Sequence, residues 1–237
     1  MSEKAESHTK QVTIQVGILA VHPKLSARDA APRTDLDGEI PMPRRSPNPH
    51  TPAGEKILVV ASELFYERGI RGVGVDLIAD QAGVTKKTLY DRFGSKDALV
   101  AAYLTRRHER WEAWFTERLA ARGAAGSEPG VKQVVAALEI AEDWADANVR
   151  GCAFVNAHAE IGGTEHPGNA VILADKRYML AVFRQLLRDA GHPDPERVGA
   201  QIHLLYEGAM VAHTTRAQPD AFAMAREAAQ ALLAPSV

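Results

Sequence analysis

The chain holds a single cysteine, Cys152, in 237 residues, so no internal disulfide can staple it, and a reducing compartment suits it. It has no apolar run near the ~20 residues that span a bilayer. GILAV at 17–21 is too short for the apolar stretch of a secretory leader and is followed by charge. A cytoplasmic location without membrane contact is expected. The nucleophile elbow, the P-loop, HExxH and the dinucleotide fingerprint are all missing. GGTEHPG at 162–168 has glycines without the P-loop order and reads as an interhelical loop. No βαβ alternation and no repeat of fixed length appear. No enzyme activity, catalytic residue, metal or cofactor is expected. Net charge is also small, −2, and by itself says nothing about partners.

What is present is ordinary in amount and uneven in placement. Hydrophobic residues make up 46% and charged residues 24%, the proportions of a globular protein able to bury a core. Residues 42–110 carry 12 Lys+Arg against 8 Asp+Glu, whereas residues 111–237 carry 11 against 16. A basic surplus of +4 thus faces an acidic remainder of −5. That asymmetry fits a phosphate-binding head on a body that does not touch nucleic acid.

Composition divides the chain further. Residues 1–50, rich in Pro, Asp, Arg and Ser around SARDAAPRTDLDGEIPMPRRSPNPH, read as a disordered extension. QVTIQVGILAV at 11–21 alternates briefly and could form a strand, without an evident partner. Three readings stand for the extension: a basic arm using Arg44 and Arg45, a passive tail, or a segment upstream of a true start at Met42. From Ala53 a helical period begins, with Ile57, Val60, Ala61, Leu64 and Phe65 on one face and Gly69 as a C-cap. Further helices are expected over Lys96 to about Arg122, Val131–Val149, Ala153–Ile161, Asn169–Ala190, Pro195 to about Arg216, and from Pro219 to just before Pro235. GAAGSEPG at 123–130 reads as a break. The expected architecture is all-α: a helix-turn-helix head over 51–95 and a helical bundle over 96–237.

The most informative stretch is VDLIADQAGVTKKTLYDRFGSK at 75–96. Leu77, Ile78, Ala82, Val84, Leu89 and Phe93 can pack inward. Gly83 sits where the chain must turn, and Thr85 can cap a second helix with its hydroxyl. Thr85, Lys86, Lys87, Thr88, Tyr90 and Arg92 are left for solvent or a ligand. This is the layout of a DNA-reading helix-turn-helix, with a helix N-terminus suited to phosphate.

Four segments strengthen that reading: ASELFYERGI at 61–70, IADQAGV at 78–84, TLYDRF at 88–93 and SKDAL at 95–99. Together they resemble the DNA-binding domain of the TetR family of transcriptional regulators over about Ile57–Leu104. One departure is visible. Many members carry Thr or Ser just before the first helix of the motif, and here the chain reads Gly72-Val73-Gly74-Val75. A phosphate contact there falls to backbone N–H groups or is lost. The resemblance implies phosphate contacts from Tyr90 and Lys96, with Lys86, Lys87 and Thr88 toward base edges.

It also implies a homodimer on a palindromic double-stranded operator, paired through the last two helices, where Gly199, Gly208, Ala209, Ala225 and Ala229 permit close approach. It further implies a repressor released by a small apolar or amphipathic effector. The pocket residues would be drawn from Trp111, Trp114, Phe115, Leu138, Trp144, Phe154, Tyr178, Met179, Phe183, Tyr206 and Met210, which also suit plain core packing. Cys152 admits two readings, a redox-sensing thiol helped by Arg150 or a small buried hydrophobe, and its neighbours Ala153 and Phe154 favour the second. His158, His203 and His213 with Glu160 and Glu207 match no metal-ligand spacing. Two rival functions remain in view: an architectural DNA binder without an effector, and a helical carrier or enzyme keeping a relic head.

Overall fold

Thr51 caps the first described helix. Its hydroxyl accepts the Gly54 amide at 3.0 Å, and Pro52 fills the first turn, where its missing N–H costs nothing. The computed structural model describes residues 47–124 and 131–234, and among these all regular structure is helical. Helix α1 (Pro52–Arg68) ends at Gly69, whose φ of 83° puts it in the left-handed region. Helices α2 (Val75–Gln81) and α3 (Lys86–Phe93) follow. Then come α4 (Lys96–Ala124), α5 (Val131–Asp146), α6 (Ala153–Ile161), α7 (Gly168–Asp189), α8 (Pro195–Thr214) and α9 (Ala221–Leu233).

The head forms because α1 to α3 each bury one narrow face. Ile57, Ala61, Leu64 and Phe65 of α1 meet Ile78 of α2 and Leu89 and Phe93 of α3. The same core continues into Leu99, Val100, Tyr103 and Leu104 of α4 and into Ala153, Phe154, Ala157 and Ile161 of α6. Head and body are therefore joined by shared apolar packing, each large side chain contributing ~1.5–3 kcal/mol. Helix α4, with 29 residues, spans ~43 Å and packs on α1, α3, α5 and α7. In the body, α7, α8 and α9 pack successively on one another, and α5 closes the bundle against α4 and α9.

Several helix ends shift from the sequence reading by one to three residues, and two of the shifts have a visible cause. Helix α5 stops at Asp146 rather than Val149: the Asn148 side-chain amide turns back to the Trp144 carbonyl at 2.7 Å, and the Gly151 amide bonds to the Asn148 carbonyl at 2.9 Å. Helix α9 starts at Ala221, because Pro219 lies in a turn in which the Ala221 amide reaches the Gln218 carbonyl at 3.1 Å. The strand at 11–21, Arg44, Arg45 and most of the break at 123–130 lie outside the described residues.

Candidate nucleic-acid interface

Helix α3 owes its position to a turn and a cap. Gly83 takes φ +65°, which a side chain would oppose, and the Gly83 and Val84 amides bond back into α2. The Thr85 hydroxyl accepts the Thr88 amide at 3.1 Å and lies 2.9 Å from the Thr88 hydroxyl, so both hydroxyls serve the cap. Leu89 and Phe93 then anchor the inner face, and Lys86, Lys87 and Tyr90 stand exposed outside, with Thr88 half-buried beside them.

The cations on this face are already paired. The Lys86 ammonium lies 2.9 Å from Asp76, and this carboxylate raises the lysine above its usual pKa by hydrogen bonding and charge. The Lys87 ammonium lies 2.7 Å from Asp91. Exposed pairs of this kind are screened by water and contribute little, so a phosphate can displace either carboxylate at little cost. Lys96 gives one ammonium hydrogen to the Ile70 carbonyl at 2.7 Å. Two donors remain on that group. Arg92 is half-buried, and its Nε has no partner among the described residues. Gly74 precedes α2 and supplies no side-chain cap.

Behind the head lies a junction that local sequence patterns do not announce, since its partners are 84 to 90 positions apart. The two Glu160 carboxylate oxygens, at the end of α6, accept the Ile70 amide at 2.9 Å and the Arg71 amide at 2.7 Å. The Arg71 guanidinium returns a bond to the Glu160 carbonyl at 2.7 Å. Nearby, the Tyr66 hydroxyl donates to the Gly151 carbonyl at 3.2 Å and accepts the Arg150 amide at 3.2 Å, and the Arg150 guanidinium donates to the Tyr66 carbonyl at 2.6 Å. Arg150 is thus a strut on α1.

A cavity of about 20 Å³, room for one water, lies between α4, α5, α6, α7 and α8. Trp111, Trp144, Phe154, Tyr206 and Met210 line it. Trp114 stacks outside them, 5.8 Å from Trp111 and 5.1 Å from Trp144. Phe115, Leu138, Met179 and Phe183 are buried in the surrounding core, and Tyr178 bonds to the Thr116 hydroxyl at 3.2 Å. The cavity wall is more polar than hydrophobic periodicity suggests, for Arg107, Asn148, Cys152 and Asp175 also reach it. The Arg107 guanidinium stacks over Tyr66 at 4.6 Å and Trp144 at 5.2 Å, and donates to Asn148 at 2.7 Å.

Asp175, a buried carboxylate, lies 3.1 Å from the His108 ring, and that hydrogen bond raises the histidine above its usual pKa against the opposing effect of burial. Cys152, half-buried, has Lys176 at 3.4 Å. Burial disfavours charge on Lys176, but Cys152, Glu207 and Asp175 outweigh it and hold the ammonium above its usual range. Burial pushes the Tyr206 phenol well above its usual range, so it stays a neutral hydroxyl beside the cavity. His158 is exposed on α6, His203 lies 3.5 Å from Glu207, and His213 lies 2.8 Å from Asp146. Among the described residues no three such groups converge on a metal position.

On α8, Leu204, Gly208 and Val211 form an exposed stripe, and Met224 and Leu232 of α9 are exposed as well. Leu204 is 70% exposed, unusual for an apolar residue on a packed helix. Ala209, Ala225 and Ala229 are buried within the chain, and Gly199 admits the Arg184 stem of α7. These small residues therefore serve packing inside one chain, whereas Gly208 has open space around it.

A capped recognition helix behind a glycine turn, carried on a helical body, defines a helix-turn-helix DNA-binding regulator. The family model for bacterial regulatory proteins of the tetR family matches residues 57–103, which is α1 to the first part of α4. A TetR-family transcriptional regulator from Streptomyces coelicolor is 32% identical, with 76% of this chain and 94% of that one aligned and a TM-score of 0.66. An uncharacterised HTH-type regulator of Mycobacterium tuberculosis is 28% identical over 146 residues, 62% of this chain and 67% of its own length. The HTH-type transcriptional activator FasR of Mycolicibacterium smegmatis is 49% identical over 51 residues, 22% of this chain and only 23% of the activator. The chain belongs to the TetR family of transcriptional regulators, whose members bind DNA and act as dimers. It is a regulator and not an enzyme.

Proposed function

We propose that this protein binds a palindromic operator as a homodimer and represses transcription until a small molecule releases it. The observation that carries the reading is the outer face of α3, where Lys86, Lys87, Thr88 and Tyr90 stand together behind a capped turn. Tyr90 and Lys96 hold phosphates in this reading, Thr85 and Arg92 flank them, and Lys86, Lys87 and Thr88 meet base edges. A stripe around Leu204, Gly208 and Val211 pairs two copies, so that two heads meet half-sites about one helical turn apart, or a multiple of it. The residues divide the work into an N-terminal extension over 1–50, a head over 51–95 and a body over 96–237.

The effector enters between Trp111, Trp144, Phe154, Tyr206 and Met210 and widens a cavity that now has room for one water. It is amphipathic, with a flat apolar part against the tryptophans and a polar group near Asp175 or Asn148. Release then follows from population shift: the ligand binds the widened state more tightly than the DNA-competent one. One observation favours the opposite sign. A stretch of 51 residues is 49% identical to part of an activator. Operator position relative to the promoter sets the sign.

Selection of random-sequence duplexes at roughly physiological salt, followed by sequencing, tests the reading. Enrichment of one palindrome supports a sequence-specific dimer. Binding without enrichment favours an architectural protein, and no binding shifts the weight to the body. A promoter fusion carrying the enriched site then gives the sign, since expression rises on gene deletion for a repressor and falls for an activator.

A further inference from the structure

The Ile70–Arg71 turn, from which α2 and α3 depart, is held from two sides. Lys96 of α4 grips the Ile70 carbonyl at 2.7 Å. Glu160 of α6 takes both adjacent amides, one on each carboxylate oxygen, at 2.9 and 2.7 Å. The Arg71 guanidinium closes the loop onto the Glu160 carbonyl. A carboxylate accepting backbone N–H groups makes stronger bonds than a neutral acceptor, and Ile70 itself is buried. Gly69 completes the fit: a Cβ there would stand 3.0 Å from the Glu160 carboxylate, at a φ of +83°.

Helix α6 has nine residues, a rod of ~13 Å. Its first residues, Ala153 and Phe154, line the cavity with Cys152, its N-cap. Its last turn carries Glu160. One short helix thus touches the cavity with one end and the root of the helix-turn-helix with the other.

We infer that Glu160 is a positioning residue for operator recognition: through Ile70 and Arg71 it sets the angle at which α2 and α3 leave the body, and it passes any displacement of α6 to the recognition helix. This rests on the operator reading above. A bond that only added stability would lower the melting temperature and leave the discrimination of the folded protein alone. A positioning bond changes discrimination.

The test uses the full chain, well below its melting temperature, with the selected palindrome and an unrelated duplex of equal length. Glu160→Ala removes both acceptors, and Glu160→Gln keeps the shape with a single acceptor oxygen. The expected result is a loss of about tenfold or more in palindrome affinity for the alanine variant, with less than about twofold change for the unrelated duplex. The glutamine variant falls between, and amide exchange at Ile70 and Arg71 quickens in the same order. The inference is overturned if those amides exchange faster while discrimination stays at the wild-type level. If the alanine variant fails to fold, the glutamine variant decides by the same two readouts. Equal binding of both duplexes by the wild-type protein sinks the operator reading itself, and this inference with it, before any substitution is made.

Discussion

Tyr90 shows how much a single exposed side chain can carry. It sits on α3 outside the head core, 40% exposed, and no protein hydrogen bond uses its hydroxyl among the described residues. If that hydroxyl meets a phosphate, Tyr90→Ala lowers affinity for every duplex by about fivefold, the worth of one hydrogen bond, with the melting temperature unchanged. Fluorescence anisotropy against several sequences checks this, and unchanged affinity removes the role. His108 offers a prediction of another kind. Its pKa is raised from an ordinary 6.5 by Asp175, with Glu112 and Glu109 adding to the effect. A raised folded-state pKa means stability that is whole below about 6.5 and lost as pH climbs through the raised value. His108→Gln should therefore depress the melting temperature more at about pH 6 than at about pH 9. An equal or opposite pattern in thermal scans would show that the pair is not coupled as drawn.

At the scale of elements, α8 and α9 make the clearest demand. Leu204 exposes most of its surface in one chain, and burying it against a second copy would recover ~2 kcal/mol per protomer. Leu204→Glu should turn dimers into folded monomers in sedimentation runs, with unchanged helix content by circular dichroism. A dimer that persists places the pairing face elsewhere. The elements were legible in the sequence where caps and periodicity agreed. Thr85, Gly83 and Ser95 mark the ends of α2, α3 and α4 because each solves a backbone problem that local chemistry states outright. The end of α5 was not legible, since Asn148 folding back on Trp144 competes with a valine that could have continued the helix. Small residues on α8 and α9 leave two readings open for a related reason: a stripe of Ala and Gly permits close approach without saying whether the neighbour belongs to the same chain. The exposed face of α3 could be read from spacing, but the pairing of Lys86 with Asp76 and the grip of Lys96 on Ile70 depend on distances that spacing does not contain.

For the whole molecule, the described core runs from Ile57 to Ala229. Removing residues 1–41 should leave melting temperature and dimerisation within error of the intact chain. A drop of several degrees would assign the extension a structural part. The charge of the molecule follows the same division. The segment that presents α3 is basic and the body acidic, so the body repels the phosphates that the head attracts.

All three tryptophans of the chain, Trp111, Trp114 and Trp144, share one stack, and two of them face the cavity. Helices α1, α2 and α3 have none. The protein is in consequence its own optical probe, silent in α1, α2 and α3 and lit beside the cavity of the body. A quench on adding a small molecule reports entry beside the indoles without any label. A shift in emission on adding operator DNA reports a change that has passed from the head to the indoles, so one cuvette separates occupancy from communication.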